Sequence, residues 1–191
     1  MCMFYEFSHR HTDCFVDGLP DKVILTREAR SSSVFNREFL YSGTFSPTSN
    51  VQPGSMVDIG DSFLVQSKRI TAEGDRSCSL VKTNAVVTIQ RWSQALDAND
   101  NPIGGPTFND VQSNVDVFAQ YVSGRLRQED IGLLPTTVYV VLLQTSSDLK
   151  RPQEVTSPDR IVLNGRSYQV DAVDDVKVPN LFYVQLSEDL R

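Results

Sequence analysis

Apolar and polar residues alternate at period two along most of this chain, which predicts β-strands because successive strand side chains point to opposite faces. Residues 22–27 (Lys-Val-Ile-Leu-Thr-Arg) are a short β-branched run behind the turn-prone Asp17-Gly18-Leu19-Pro20-Asp21. Residues 39–45 place Phe39, Tyr41 and Phe45 on one side and stop at Ser46-Pro47-Thr48-Ser49-Asn50. Phe63 and Val65 share a face, residues 71–75 make a turn and residues 77–82 return, which predicts a hairpin. Residues 84–92 form the next strand, with Val87, Ile89 and Arg91 as its packing set. Residues 114–128 mix both periods and are read as strand. Residues 136–143 are apolar on both faces and predict a central, buried strand. Residues 160–186 close the chain as a further hairpin.

Two long polar stretches interrupt this pattern. Residues 97–107 (Asp-Ala-Asn-Asp-Asn-Pro-Ile-Gly-Gly-Pro-Thr) hold almost only turn formers and predict a long, mobile loop. Residues 146–158 predict a second, proline-marked loop. Loops of this length without their own structure are usually functional or disordered, so the first is a candidate contact element.

The end of the chain echoes its middle. Gly60-Asp61-Ser62-Phe63-Leu64-Val65 matches Gly165-Arg166-Ser167-Tyr168-Gln169-Val170, behind the lead-ins Met56-Val57-Asp58-Ile59 and Arg160-Ile161-Val162-Leu163. Any two hairpins with a glycine turn and an aromatic near Val would share this pattern. The return strands match only with a slip of one residue, setting Leu80 against Val184. Two copies are too few for a solenoid. The expected fold is mainly β, a β-barrel or β-sandwich with long loops, with two related hairpin units as one reading of the echo. It is either a single domain over 1–191, or an N-terminal half 1–95 and a C-terminal barrel half 110–191 joined by loop 96–109.

Composition changes this picture little. The 191 residues are 40% hydrophobic and 22% charged, a balance that folds. No apolar run approaches the roughly 20 residues that span a bilayer, and no basic-then-apolar leader opens the chain. A net charge of −6 argues against gripping phosphate backbones, yet an acidic surface lets a strand slide past. Cys2, Cys14 and Cys78 have no framework spacing and are expected as free thiols.

Candidate chemistry is sparse. His9, His11 and Cys14 are donor types that zinc prefers, but a four-ligand set is not completed by Cys2 or Cys78. The Asp97 loop has Pro102 and Phe108 where a calcium loop needs Gly and Glu. Nucleophile-elbow, phosphate-loop and dinucleotide fingerprints are missing, and Asp171, Asp174 and Asp175 read as a solvated rim. Trp92 stands at the mouth of the first loop as a core or interface anchor. No enzyme, cofactor or metal is expected. The candidate interface residues are Asp97, Asn99, Asp100, Asn101, Ile103 and Phe108 in and beside the first loop, Lys150 and Arg151 in the second, and Leu190 and Arg191 at the chain end.

Residues 159–173 (Asp-Arg-Ile-Val-Leu-Asn-Gly-Arg-Ser-Tyr-Gln-Val-Asp-Ala-Val), followed by Asp174-Asp175-Val176 and the returning Phe182-Tyr183-Val184-Gln185-Leu186, form an Asp-x-Φ-x-Φ-x-Gly-x-x-Tyr-x-Val ending. This ending resembles that of small β-barrel proteins in the necks of tailed bacteriophages, the head-closure (stopper) and head-to-tail connector family. It covers about 30 residues; the extra length relative to a minimal stopper lies in the N-terminal half and the loop after Trp92. The resemblance implies a virion structural protein, a homo-oligomeric ring between portal or adaptor protein and tail terminator or tail tube protein. Genome DNA would pass through its channel without sequence-specific binding during ejection, and assembly would occur in the bacterial cytoplasm, away from membranes. Alternatives are a tail or baseplate component and a carbohydrate- or receptor-binding β-sandwich.

Overall fold

A computed structural model describes residues 3–28, 38–105 and 107–191. Among the described residues, twelve strands form two closed six-stranded antiparallel barrels. The first contains β1 (Thr12–Val16), β2 (Leu19–Arg27), β3 (Leu40–Phe45), β4 (Met56–Asp58), β5 (Ser62–Ile70) and β6 (Arg76–Lys82). The second contains β7 (Ala85–Ser93), β8 (Thr107–Tyr121), β9 (Tyr139–Gln144), β10 (Arg160–Leu163), β11 (Arg166–Asp174) and β12 (Leu181–Glu188). A short helix, α1 (Met3–Glu6), precedes the first barrel, and another, α2 (Gly124–Glu129), lies between β8 and β9. One compact unit comprises Met1–Asn84 with Asp175–Leu181, the other Ala85–Asp174 with Phe182–Arg191. Residues 96–109, expected as a joining loop, therefore lie within the second unit.

Local chemistry explains the hairpins. Asp17-Gly18 and Asn164-Gly165 are two-residue turns with both residues at positive φ, 49° and 80° in the first and 51° and 75° in the second. Such turns match the right-handed twist of the strands they join, and Asn-Gly or Asp-Gly tolerates the left-handed backbone. Inward positions then alternate. Val57, Val65 and Leu80 are fully buried in the first barrel, as are Ile161, Val170 and Leu186 in the second. Closing each sheet on itself leaves no open edge over the barrel wall.

The two barrels share one plan. Around the first the strand order is β1-β2-β3-β6-β5-β4; around the second it is β7-β8-β9-β12-β11-β10, the same sequence of roles. The hairpins β4–β5 and β10–β11 are the echo read from the sequence, in the same register: Val57 opposes Phe63 and Ile161 opposes Tyr168. The match extends to a β-bulge. Pairing shifts between Val65 and Ser67 in β5 and between Val170 and Ala172 in β11. Val65 faces Leu80 and Val170 faces Leu186, so Leu80 corresponds to Leu186 and not to Val184. The connection between β11 and β12 is longer than that between β5 and β6, which sequence spacing alone could not place.

Further equivalences follow from the ladders. Tyr41 meets Phe63 edge-on, with centroids 5.1 Å apart at 80°; Tyr139 meets Tyr168 at 5.2 Å and 74°. The Val65 amide donates to the Ser55 carbonyl and the Val170 amide to the Asp159 carbonyl, both at 3.0 Å. After β3 and after β9 a turn closes at 3.1 Å (Ser49 to Ser46, Ser147 to Gln144) and delivers a buried aliphatic, Val51 or Leu149, to its core. One position is compensated by size. Gly43 of β3 leaves room that Phe45 fills, where the second barrel has Val141 and Leu143.

Several expectations need correction. Residues 97–107 are not a loop without structure: Ile103 N–H donates to the Ala95 carbonyl, Leu96 bridges Pro102, and Asp97 N–H donates to the Asn101 carbonyl, extending the β7–β8 ladder to its tip. Pro106 lies outside the described residues. Residues 114–128 are strand only to Tyr121; Ser123 then caps α2 by accepting from the Leu126 amide at 3.3 Å. The mixed periodicity there was two elements in succession. The loop after Trp92, read as added length, is the β7–β8 connection, a long ribbon where β1–β2 has two residues.

Candidate functional site

The most developed constellation is at one end of the second barrel, and it starts from a buried acid. Asp159 precedes β10 with no side-chain exposure. A lone carboxylate there would be costly, so it must be matched. Arg91 of β7 donates from Nε and Nη2 to its two oxygens, each at 3.0 Å, and the Lys150 amide donates at 2.9 Å. The same Nη2 reaches the Asp148 carbonyl at 2.9 Å and its carboxylate at 3.2 Å. Hydrogen bonding to Asp159 holds the Arg91 guanidinium firmly charged, against the opposing effect of burial. This fork ties the loop 145–158 to the barrel wall.

A second knot lies alongside. Asp189, again with an unexposed side chain, accepts from Arg160 Nε at 2.6 Å and from Arg191 Nε and Nη2 at 2.9 and 3.0 Å. Burial would raise its pKa; the hydrogen bonds from Arg191 and Arg160 win and hold it well below the usual carboxylate range. Both guanidiniums stack on Phe108, with Arg160 3.7 Å and Arg191 4.9 Å from the ring centroid. Arg191 also binds Ser157 Oγ at 2.6 Å and the Pro158 carbonyl at 3.1 Å.

The candidate residues divide accordingly. Phe108 is half-buried beneath two arginines and Arg191 is pinned, while Lys150 gives its backbone amide to Asp159 with its side chain exposed, and Arg151 flanks a short turn with Glu154. Leu190 is 92% exposed between two anchored residues. Asp97, Asn99, Asp100, Asn101 and Ile103 lie together at the tip of the β7–β8 ribbon. There the Asp97 carboxylate accepts from the amides of Asn101 and Asn99, both at 2.8 Å, and from Asn101 Nδ2, which lowers its pKa. Trp92 is half-buried opposite Phe108 at the ribbon base.

The sequence reading passed over two features. The acid of the closing motif, Asp159, was noted only as a pattern position; an Asp before an alternating run and an unmatched Arg in a strand was the available signal. The cover over β12 had none. Gln185 accepts from the Leu134 amide and the Thr137 hydroxyl, both at 2.9 Å, and donates to the Gly132 carbonyl at 3.0 Å, while Tyr183 donates to Asp130 at 2.6 Å.

The first barrel holds the remaining donor cluster. His11 stacks on Phe4 with centroids 4.0 Å apart and its Nε2 lies 2.9 Å from the Phe4 carbonyl, while Cys14 is buried in the core. Burial, with Asp21 and Asp13 adding, pushes the Cys14 thiol up to about 12. Burial likewise pushes Cys78 up to about 11. Cys2 lies outside the described residues. Shallow grooves lie among the described residues of this barrel. One of about 370 Å³ is lined by Phe15, Pro20 and neighbours, and one of about 290 Å³ by serines with Arg69 and Glu28.

Comparison with protein-family models and with curated proteins finds no match to this chain.

Proposed function

We propose that this chain is a non-enzymatic structural protein of the tailed-phage neck, a homo-oligomeric ring component that joins the head to the tail and lets DNA pass. The observation that carries the reading is how the residues of the resemblance behave in three dimensions. Ile161, Leu163, Tyr168 and Val170 point into one core, Gly165 makes the tight turn, and Asp159 is the buried acid that straps the adjacent loop. The ending is thus the closing wall of a small filled barrel, the architecture the neck family implies.

Other features agree. Two barrels of one plan supply rigid frames, and exposed elements around the second supply contacts. The net charge of −6 suits a channel protein that must not hold the genome by its phosphates. Portal or adaptor protein on one side and tail terminator or tail tube protein on the other are the partners of this reading. The test is location: labelled protein should map to the head–tail junction of virions by cryo-electron microscopy. Density only at the tail tip, or none in virions, would overturn it.

A further inference from the structure

The β7–β8 ribbon outruns its barrel. β10 pairs with β7 only from Val87 to Gln90, and β9 pairs with β8 only from Phe118 to Tyr121. The β7–β8 ladder itself continues to Ser93 opposite Thr107, then through Ala95–Ile103 and Leu96–Pro102 to the turn at Asp97. At about 3.4 Å per residue, Arg91 to Asp97 extends roughly 20 Å beyond the three-stranded part. Isolated two-stranded ribbons are marginal in water and need a packing surface. This one exposes apolar side chains on both faces, with Leu96 52% exposed on one and Ile103 56% exposed on the other.

Charge points to what covers it. Between Arg91 and Arg125 the sequence has four aspartates, Asp97, Asp100, Asp110 and Asp116, and no lysine or arginine. The complementary surface is on the first barrel of the same chain. There β5 ends Lys68-Arg69-Ile70, with Ile70 72% exposed and directly across from Arg76. Ile70, with Lys68 and Arg76 on its own face of the ladder and Arg69 beside it in sequence, is an exposed aliphatic among basic residues and matches Leu96 and Ile103 beside Asp97 and Asp100 at the ribbon tip.

We propose that the ribbon tip of one copy docks on the Lys68-Arg69-Ile70 end of β5 in a second copy, burying Leu96 or Ile103 against Ile70. The contact joins two different surfaces, so a joined pair still has one free ribbon and one free β5 end, and repetition gives a ring or a filament. The inference rests on the homo-oligomeric part of the proposed function and gives it an interface.

The experiment is sedimentation of the full-length protein over a concentration series, at low salt and at about 1 M salt, where the screening length is ~3 Å. Self-association that weakens with salt is expected. Asp97→Asn and Asp100→Asn together keep a carbonyl oxygen at the turn, tolerate the positive φ at residue 100, and should weaken association several-fold, to about a tenth at most, the sum of a few screened pairs. Arg69→Glu should weaken it similarly, and Leu96→Ser with Ile103→Ser should abolish it. Thermal melts of each variant confirm folding. Assembly unchanged by ribbon and β5 variants overturns this interface and leaves the ring reading standing. A monomer at every concentration overturns both.

Discussion

Replacing Asp159 is the sharpest test of how the second barrel is held. Its carboxylate is unexposed and matched by a bidentate Arg91 and the Lys150 amide. Removing one partner of such a pair strands the other, at about 3–5 kcal/mol. Asp159→Ala frees the Lys150 amide and leaves Arg91 with Asp148 alone; Arg91→Met leaves a buried carboxylate, the costlier outcome. Replacing both, as Arg91→Met with Asp159→Leu, removes the mismatch and should cost less than the sum of the singles by about 2 kcal/mol or more. Trp92 is the sole tryptophan and follows Arg91 in β7, so its fluorescence reports this unit. With a urea dependence of about 1.5 kcal/mol/M for a barrel this size, each single change should lower the midpoint by about 2 M or more. A loss below about 1 kcal/mol for Asp159→Ala, or strict additivity in the double variant, would refute the argument that this fork straps the barrel.

Three further outcomes follow from the cores and the chain end. Gly43→Ala places a methyl 2.7 Å from Leu80 Cδ1 and 3.0 Å from the Phe45 ring, so it should destabilise the first barrel by about 1–3 kcal/mol, read by circular dichroism, while a neutral result would mean that Leu80 has room to turn. In Cys2→Ser protein, Cys14 and Cys78 should resist a thiol reagent at about pH 8 and both react in denaturant, because burial keeps them protonated through that range. The Asp189 pKa is depressed in the folded state, so its stabilisation is complete above about pH 4 and is lost as pH falls further. The Asp189→Asn variant should therefore show a flatter loss of stability on acidification than the parent.

Strands were legible because each needs only a local period and a turn. Residues 22–27, 39–45, 84–92 and 136–143 all fall within or overlap observed strands, and the buried pair Val87 and Ile89 is the face that alternation marked. The ribbon tip was less legible, since Asp97-Ala98-Asn99-Asp100-Asn101 has turn composition whether or not its flanks pair; Ile103 to Ala95 and Leu96 to Pro102 decide that. Phe108, Lys150, Arg151 and Arg191 resemble contact residues in sequence because exposure is inferred from polarity or from a loop. Phe108 is covered by the guanidiniums of Arg160 and Arg191, and Arg191 is held by Ser157 and the Pro158 carbonyl, whereas the Lys150 side chain stays exposed and Arg151 pairs with the nearby Glu154.

By itself the sequence determined the strand content, the tight Asp-Gly and Asn-Gly turns, and the shared pattern of the hairpins around Gly60 and Gly165, since these depend on side-chain alternation and on backbone freedom at one or two residues. Tertiary structure decided that each set of six strands closes in one common order, that Leu80 corresponds to Leu186, and that Asp159 and Asp189 are buried and matched. The physical reason is that strand periodicity says which face is buried but not which strand lies alongside. A buried charge finds its partner only when strands far apart in the chain, such as those bearing Arg91 and Asp159, become neighbours.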